Sequence, residues 1–196
     1  MRNENRNIEK EIRIKTLELL QEKEPYEIGM RDIARRCGVS ATAIYLYYKD
    51  KDDLFRKISL DCLHVLEAHM KRRLESVDEP VEKIIVALKT YRDWCFENAK
   101  TAMLFMGKIN VDPEADTQAL SEYYGCNRLG QQLLEVCVKE KIFSCVDVVT
   151  DTNVLIYGLW GCIESVLLMR ADLVLLEKEI EYTDRFIEIA IKGLKN

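Results

Sequence analysis

The stretch Met30–Phe55, MRDIARRCGVSATAIYLYYKDKDDLF, constrains this chain more than any other. It sets two short helical patterns on either side of Gly38-Val39-Ser40. In the first, Ile33, Ala34 and Cys37 share one inward face while Arg31, Arg35 and Arg36 project elsewhere. Gly38 can take the positive φ that ends a helix. Ser40 can cap the next helix, because its hydroxyl accepts an orphan backbone N–H. Small residues follow (Ala41, Thr42, Ala43), then Ile44, Tyr45, Tyr47 and Tyr48. A second helix that is short, small at its start and aromatic at its end suits insertion into a groove about 12 Å wide. The pattern predicts a helix-turn-helix.

A chain of 196 residues makes one domain or two small ones and can bury a sizeable core. With 48% hydrophobic residues, three prolines and eight glycines, it is a folded sequence and not a disordered one. Strong helix formers dominate and β-branched alternation is scarce, so the expected class is all-α. The net charge of −5 is uneven. Residues 1–60 hold 13 Lys/Arg against 11 Asp/Glu, and the remainder 16 against 23. A mildly positive head on an acidic body is compatible with duplex binding, since only the docking face must neutralise phosphates. It argues against sequence-blind coating of nucleic acid.

The seven cysteines are odd in number, irregular in spacing and apolar in context, which favours reduced thiols. Met1–Lys10 is charged throughout and does not read as a signal peptide. The most apolar run, Val154–Met169, contains Glu164 and two glycines and falls short of a membrane span. A cytoplasmic location is expected.

In chain order, Met1–Asn7 reads as a polar leader and Ile8 to about Lys23 as a helix closed by Pro25. Tyr26 and Ile28 are expected to plug a small three-helix core. Asp50 caps the next helix, with Asp53 three residues on in a capping-box-like arrangement. Leu54, Phe55, Ile58, Leu63, Leu66, Met70 and Leu74 carry that helix to about Ser76, roughly 37 Å at 1.5 Å per residue. Further helices are expected over about 80–98, 100–109, 116–138, 147–169 and 174–194, with a Pro113 loop at 110–115 and a hydrophobic connector at Ile142–Val146. The domain boundary falls at Asp50/Lys51, giving 1–50 and 51–196.

The motif resembles the DNA-binding domain of the TetR family of bacterial transcriptional regulators. The resemblance rests on Gly38-Val39-Ser40, Ile44-Tyr45, Tyr47-Tyr48-Lys49 and Lys51-Asp52-Asp53-Leu54, and covers roughly residues 8–58. Gly29 departs from the family's usual capping threonine and Tyr47 from its frequent histidine. About nine helices in a small-head, large-body order match the family's plan. The resemblance implies that Ala41, Thr42, Ala43, Tyr45 and Tyr47 face the major groove and that Arg31 makes a base or phosphate contact. Thr42 can hydrogen-bond a base edge, and Ala41 or Ala43 can pack on a thymine methyl. Tyr45, Lys49 and Lys51 suit phosphates, which position the protein without reading sequence. Tyr48 is expected in the core, with Tyr45 and Tyr47 exposed.

The resemblance also implies an effector site in the larger domain. Candidate lining residues are Tyr91, Trp94, Met103, Met106, Tyr123, Tyr124, Trp160 and Glu164; Met and aromatic residues suit an adaptable apolar cavity, and equally an ordinary core. Glu164 could pair a cationic ligand or Arg170, or face solvent. Gly158, Gly161, Cys162 and Ser165 permit close helix approach, and with Phe186, Ile187, Ile189 and Ala190 of the last helix suit a two-fold four-helix interface. No cofactor or metal is implied: His64 and His69 lie five apart on one helix, and no Gly-rich phosphate loop, HExxH or CxxC occurs. Cys62-Leu63-His64 is a weak metal hint, and redox sensing through Cys95, Cys126, Cys137, Cys145 or Cys162 stays open. The expected function is a homodimeric repressor, not an enzyme, that binds a palindromic double-stranded DNA operator and is released by a largely apolar or aromatic small molecule. The alternatives are a DNA-binding protein controlled by a protein partner, and a helical carrier or enzyme whose head does not bind DNA.

Overall fold

The computed structural model describes residues 2–106, 117–168 and 178–195, with side chains from Ile8 onward. Among these residues there are ten α-helices, one 3-10 turn and no strand, only an isolated antiparallel bridge between Phe143 and Lys195. The chain is all-α, with a helix-turn-helix in its N-terminal part and a larger helical C-terminal part. It divides into two compact units: Met1–Cys62 with Lys100–Asn110, and Leu63–Ala99 with Val111–Asn196.

In the first unit, α1 (Arg2–Glu22) begins earlier than the expected leader allows, since Asn, Glu and Arg there continue the helix. Ile12, Thr16, Leu19 and Leu20 recur at helical spacing and are buried on one face. Thr16 donates to the Ile12 carbonyl at 2.7 Å, which satisfies its hydroxyl inside the core. A 3-10 turn (Pro25–Glu27) follows, then α2 (Met30–Cys37) and α3 (Ala41–Ile44). The turn corrects one expectation. Ile28 is buried, but Tyr26 is 80% exposed, because the tight turn points it away from the core. The core is Ile12, Leu19, Leu20, Ile28, Ile33, Ala34, Ile44, Tyr48, Leu54 and Ile58. Leu104 of α6 (Ala99–Met106) packs against it, and Lys100 of that helix pairs with Glu24 at 3.5 Å.

The helix α4 (Lys51–Leu74) contributes residues to both units, with Leu54 and Ile58 buried in its first half and Leu63, Leu66, Met70 and Leu74 in its second. The second unit adds α5 (Pro80–Glu97), α7 (Thr117–Tyr123), α8 (Gly125–Lys139), α9 (Val148–Leu167) and α10 (Glu179–Leu194). Pro80 opens α5 where a missing N–H costs nothing, and the Asp147 side chain caps α9 by accepting from the Thr150 N–H at 2.7 Å. The helix expected over 116–138 is broken at Tyr124 into α7 and α8, which raises the described helices from about nine to ten. At Gly125 a Cβ would collide with the Glu67 carboxylate, so the break lies where α8 approaches α4 closely. Helices α5, α8, α9 and α10 pack on one another to form the core of this unit.

Arg92 of α5 is 4% exposed in that core. Its guanidinium donates to Asp93, to the Thr183 hydroxyl and to Asp184 of α10. Burial pushes the Asp184 carboxyl up, but Arg92 and Lys89 outweigh it and hold the group below its ordinary range. A buried cation with three acceptors ties α5 to α10.

Candidate nucleic-acid interface and ligand cavity

The helix-turn-helix is held by local caps more than by its length. Gly38 ends α2 at φ 68°, in the left-handed region, and the Val39 N–H closes onto the Ala34 carbonyl at 3.0 Å. Ser40 Oγ accepts from the Ala43 N–H at 3.2 Å and starts α3. At the start of α2, where Gly29 can offer no capping hydroxyl, Asp32 Oδ2 accepts from the Gly29 N–H at 3.1 Å. That bond, more than the nearby Lys23 and Arg35, holds the Asp32 carboxyl below its usual range. Ahead of α4, Asp50 accepts from the Asp53 N–H at 2.8 Å and Asp53 accepts from the Lys49 N–H at 3.1 Å. Burial raises the Asp53 carboxyl; the Lys49 N–H, Arg56 and Lys57 more than offset it.

These caps present one surface. Arg31, Thr42, Tyr45, Leu46 and Lys49 are exposed, while Ala41, Ala43 and Tyr47 are half-buried. After Ile44 the helix tightens, with the Tyr47 N–H reaching the Ile44 carbonyl at 3.0 Å. Tyr48 therefore turns inward, and its hydroxyl donates to the Glu9 carbonyl at 3.2 Å under the Lys57 ammonium. Tyr47 is not fully outward as expected; its ring packs on the edge of the head core. Lys51 Nζ donates to the Pro25 carbonyl at 3.3 Å and lies over the Phe55 ring, so its charge is partly committed within the protein. Leu46, 79% exposed beside Tyr45, is a surface residue that sequence reasoning missed. In an Ile-Tyr-Leu-Tyr-Tyr run a leucine looks like core, and only the tightening after Ile44 turns it outward.

The expected effector residues do not form one group. Met103 and Met106 belong to the first unit, half-buried on α6. Trp94, on α5, and Glu164, on α9, are half-buried and line neither of the cavities of the second unit described below. Arg170, offered as a partner for Glu164, lies outside the described residues. Tyr91, Tyr123, Tyr124 and Trp160 do come together, with Asn127 and Tyr157. Tyr123 and Tyr124 meet edge to face at 4.9 Å, Tyr157 and Trp160 at 5.5 Å, and the Trp160 indole N–H donates to the Tyr91 hydroxyl. This aromatic cluster fills its own space and encloses only about 10 Å³.

A larger cavity, about 40 Å³, lies on another side of Tyr91. Met70, Ala87, Leu134, Thr152 and Leu159 contribute to its wall with Tyr91 and Cys126, and no carboxylate, ammonium, guanidinium or imidazole does. None of the first five was singled out from sequence, since aliphatic residues at helical spacing carry no mark separating a cavity wall from filled core. Burial pushes the Cys62 and Cys126 thiols up to about 12, and Cys145 up to about 11 with the help of Asp151. Among the described residues no cluster of three or more His, Cys, Asp or Glu could hold a metal, and no helix is long and apolar enough to cross a membrane.

Residues 13–58 match the family model for bacterial regulatory proteins of the tetR family. Over 73 residues the chain is 33% identical to the HTH-type transcriptional regulator HbdR of Aromatoleum sp. (strain CIB). That match spans 37% of this chain and about a third, 32%, of that protein. The whole fold is similar to a protein of unknown function from Rhodococcus sp. RHA1, with a TM-score of 0.75 at 14% identity over 96% of both chains. It is equally similar to the fatty acid degradation regulator FadR of Bacillus halodurans, with a TM-score of 0.74 at 14% identity over 95% of this chain and 99% of that one. The likeness to tetR-family regulators is therefore carried in sequence by the cap-locked helix-turn-helix of residues 13–58, and the all-helical body shares its fold with these solved structures.

Proposed function

We propose that this protein is a ligand-responsive transcriptional regulator, a repressor that binds a palindromic operator as a homodimer in the cytoplasm and is released by a small-molecule effector. The observation that carries the DNA-binding part is the exposed face of α3 and the turn after it, where Thr42, Tyr45 and Leu46 stand clear of the core on a segment fixed at both ends by caps. Thr42 reads a base edge; Ala41, Ala43 and Leu46 offer methyl contacts; Arg31, Lys49 and Lys51 with Tyr45 hold phosphates.

Dimerisation is supported by α9. Val154, Tyr157 and Gly161 are exposed at spacings of three and four along one face, and Leu168, just past the end of the helix, is exposed seven residues further on. Gly158 is spent within the protomer, where a Cβ would meet the Phe186 ring of α10, whereas Gly161 faces open space and admits a second copy. A two-fold dimer places two heads on half-sites about 34 Å apart or a multiple of it. The effector acts through α4, which carries residues of both units. A differential affinity worth about 1–3 kcal/mol changes operator affinity roughly 5–150-fold.

The test is binding of the full chain to its own upstream intergenic DNA across a salt series. Selective binding is expected, with a steep fall as salt rises. Thr42→Ala should cost about 1–3 kcal/mol on the preferred site and relax the preference. A folded dimer that shows no selectivity at low salt would sink the reading.

A further inference from the structure

Thr152 on α9 is 2% exposed, and its Oγ1 has no hydrogen-bond partner among the described residues. Three other buried threonines behave differently. Thr16, Thr90 and Thr183 each donate to the carbonyl four residues back, at 2.7, 2.7 and 2.8 Å. That local bond is open to any helical threonine, so Thr152 leaves its hydroxyl unsatisfied against the norm for buried polar groups. Its methyl is held toward α8, where a Cβ on Gly130 would come within 3.0 Å of it. The glycine lets α8 approach α9 and sets the threonine in place.

Thr152 forms part of the wall of the 40 Å³ cavity, with Met70, Ala87, Tyr91, Leu134 and Leu159. The Tyr91 hydroxyl already accepts from the Trp160 indole. The wall therefore offers an apolar surface, the weakly polar Cys126 thiol and one hydroxyl without a partner among the described residues, Thr152 Oγ1, which is itself closed off until an occupant spreads the wall, with no charge to pair. A carboxylate, phosphate or ammonium entering it would lose its hydration with nothing in return. The cavity is smaller than the roughly 150 Å³ that takes benzene, so an occupant must spread the flexible Met70 and the leucines. A thin chain does this more easily than a fused ring.

We propose that this cavity takes a slender, uncharged, largely aliphatic molecule whose single hydrogen-bonding group meets Thr152 Oγ1. The proposal rests on the ligand-responsive reading above and specifies the chemistry of the effector.

The experiment uses the purified full chain and three probes of equal length, 1-octanol, octanoate and octylamine, followed by calorimetry and thermal melting. Octanol is expected to bind and raise Tm, with octanoate and octylamine at least about 100-fold weaker. Thr152→Val, which keeps the side-chain shape, is expected to weaken octanol about 2- to 12-fold, the worth of one hydrogen bond, and Thr152→Ser to restore it. Equal binding of octanoate, equal binding of octanol by Thr152→Val, or no binding of octanol up to its solubility each overturns the proposal. Operator release is scored separately. Octanol that binds without releasing DNA leaves the cavity chemistry standing and defeats the ligand-responsive reading. A charged molecule that binds this cavity and releases DNA does the reverse.

Discussion

The two units of this protein use burial in opposite ways. In the first, Ile33, Ile44 and Leu54 are fully buried, and polar groups near them are matched: Thr16 to Ile12, Tyr48 to Glu9, Asp32 to Gly29, Asp53 to Lys49. In the second, an equally apolar helix set closes around a cavity and leaves the Thr152 hydroxyl unmatched, although it satisfies the far more demanding Arg92 completely. A surface that must present side chains in one geometry needs a rigid support. An interior that must admit a molecule needs space and a spare polar group. The contrast is what the proposed DNA-reading head and the proposed ligand-receiving body would each require.

The strongest way to break this comparison is to cut equal volumes from the two interiors. Ile44→Ala opens a void among fully buried side chains and should cost about 3–5 kcal/mol, seen as lost hydrogen-exchange protection in α2 and α3. Leu159→Ala enlarges an existing cavity, where the side chain lacks neighbours on one side, and should cost nearer 2 kcal/mol. Trp94 and Trp160, the two tryptophans, both lie in the second unit and report that loss by fluorescence during urea unfolding. Equal costs would mean that the cavity is no weaker in packing than the head core.

Next in size is the turn. Gly38 has open space around its Cα, with nothing within 4 Å of where a Cβ would stand, so any penalty there comes from the backbone alone. Gly38→Val should cost about 1–2 kcal/mol for a left-handed β-branched residue, and Gly38→Asn distinctly less, because asparagine tolerates that region. A steric origin would make the two equally harmful.

This graded sensitivity follows what was legible in the sequence. Gly38, Ser40 and Asp50 act on backbone groups within a few residues, so their types and spacing announced the turn and both caps. Tyr26 is expected inside because it stands beside Ile28 in an apolar connector, but the 3-10 turn points it outward; Leu46 draws no expectation, since nothing in its aromatic surroundings marks it as exposed. The body was harder. The break at Tyr124 lies where Gly125 meets Glu67, and the buried Arg92 is matched by Asp184, contacts made far along the chain. Tyr91, Tyr123, Tyr124 and Trp160 did converge as a cluster, but on each other. The cavity beside them is walled by residues whose type says only that they are buried.

Acid should discriminate the head more gently. Asp53 has a lowered folded-state value, so its contribution is complete above the unfolded carboxylate range, about 3.9, and is lost as pH falls through the folded value. Stability should therefore decline from about pH 5 downward, and Asp53→Asn should flatten part of that decline while costing about 1 kcal/mol at neutral pH. Melting curves between pH 3 and 7 (roughly the span in which carboxylates titrate) provide the check; an unchanged slope in the variant would remove Asp53 as a contributor.

The smallest effect has the opposite sign. Thr152→Val replaces an unmatched buried hydroxyl with a methyl of the same shape, so it removes a desolvation cost and breaks no hydrogen bond seen in the protein. The free protein should gain up to about 1 kcal/mol, read as a rise in Tm of a few degrees. A threonine that stabilised the empty fold would lose stability on this change, as Thr90→Val should, where the bond to Val86 is sacrificed. The pair therefore separates a hydroxyl kept for folding from one kept for a ligand. If both variants lose stability alike, Thr152 is an ordinary structural threonine, and the body no longer differs from the head in how it treats its buried polar groups.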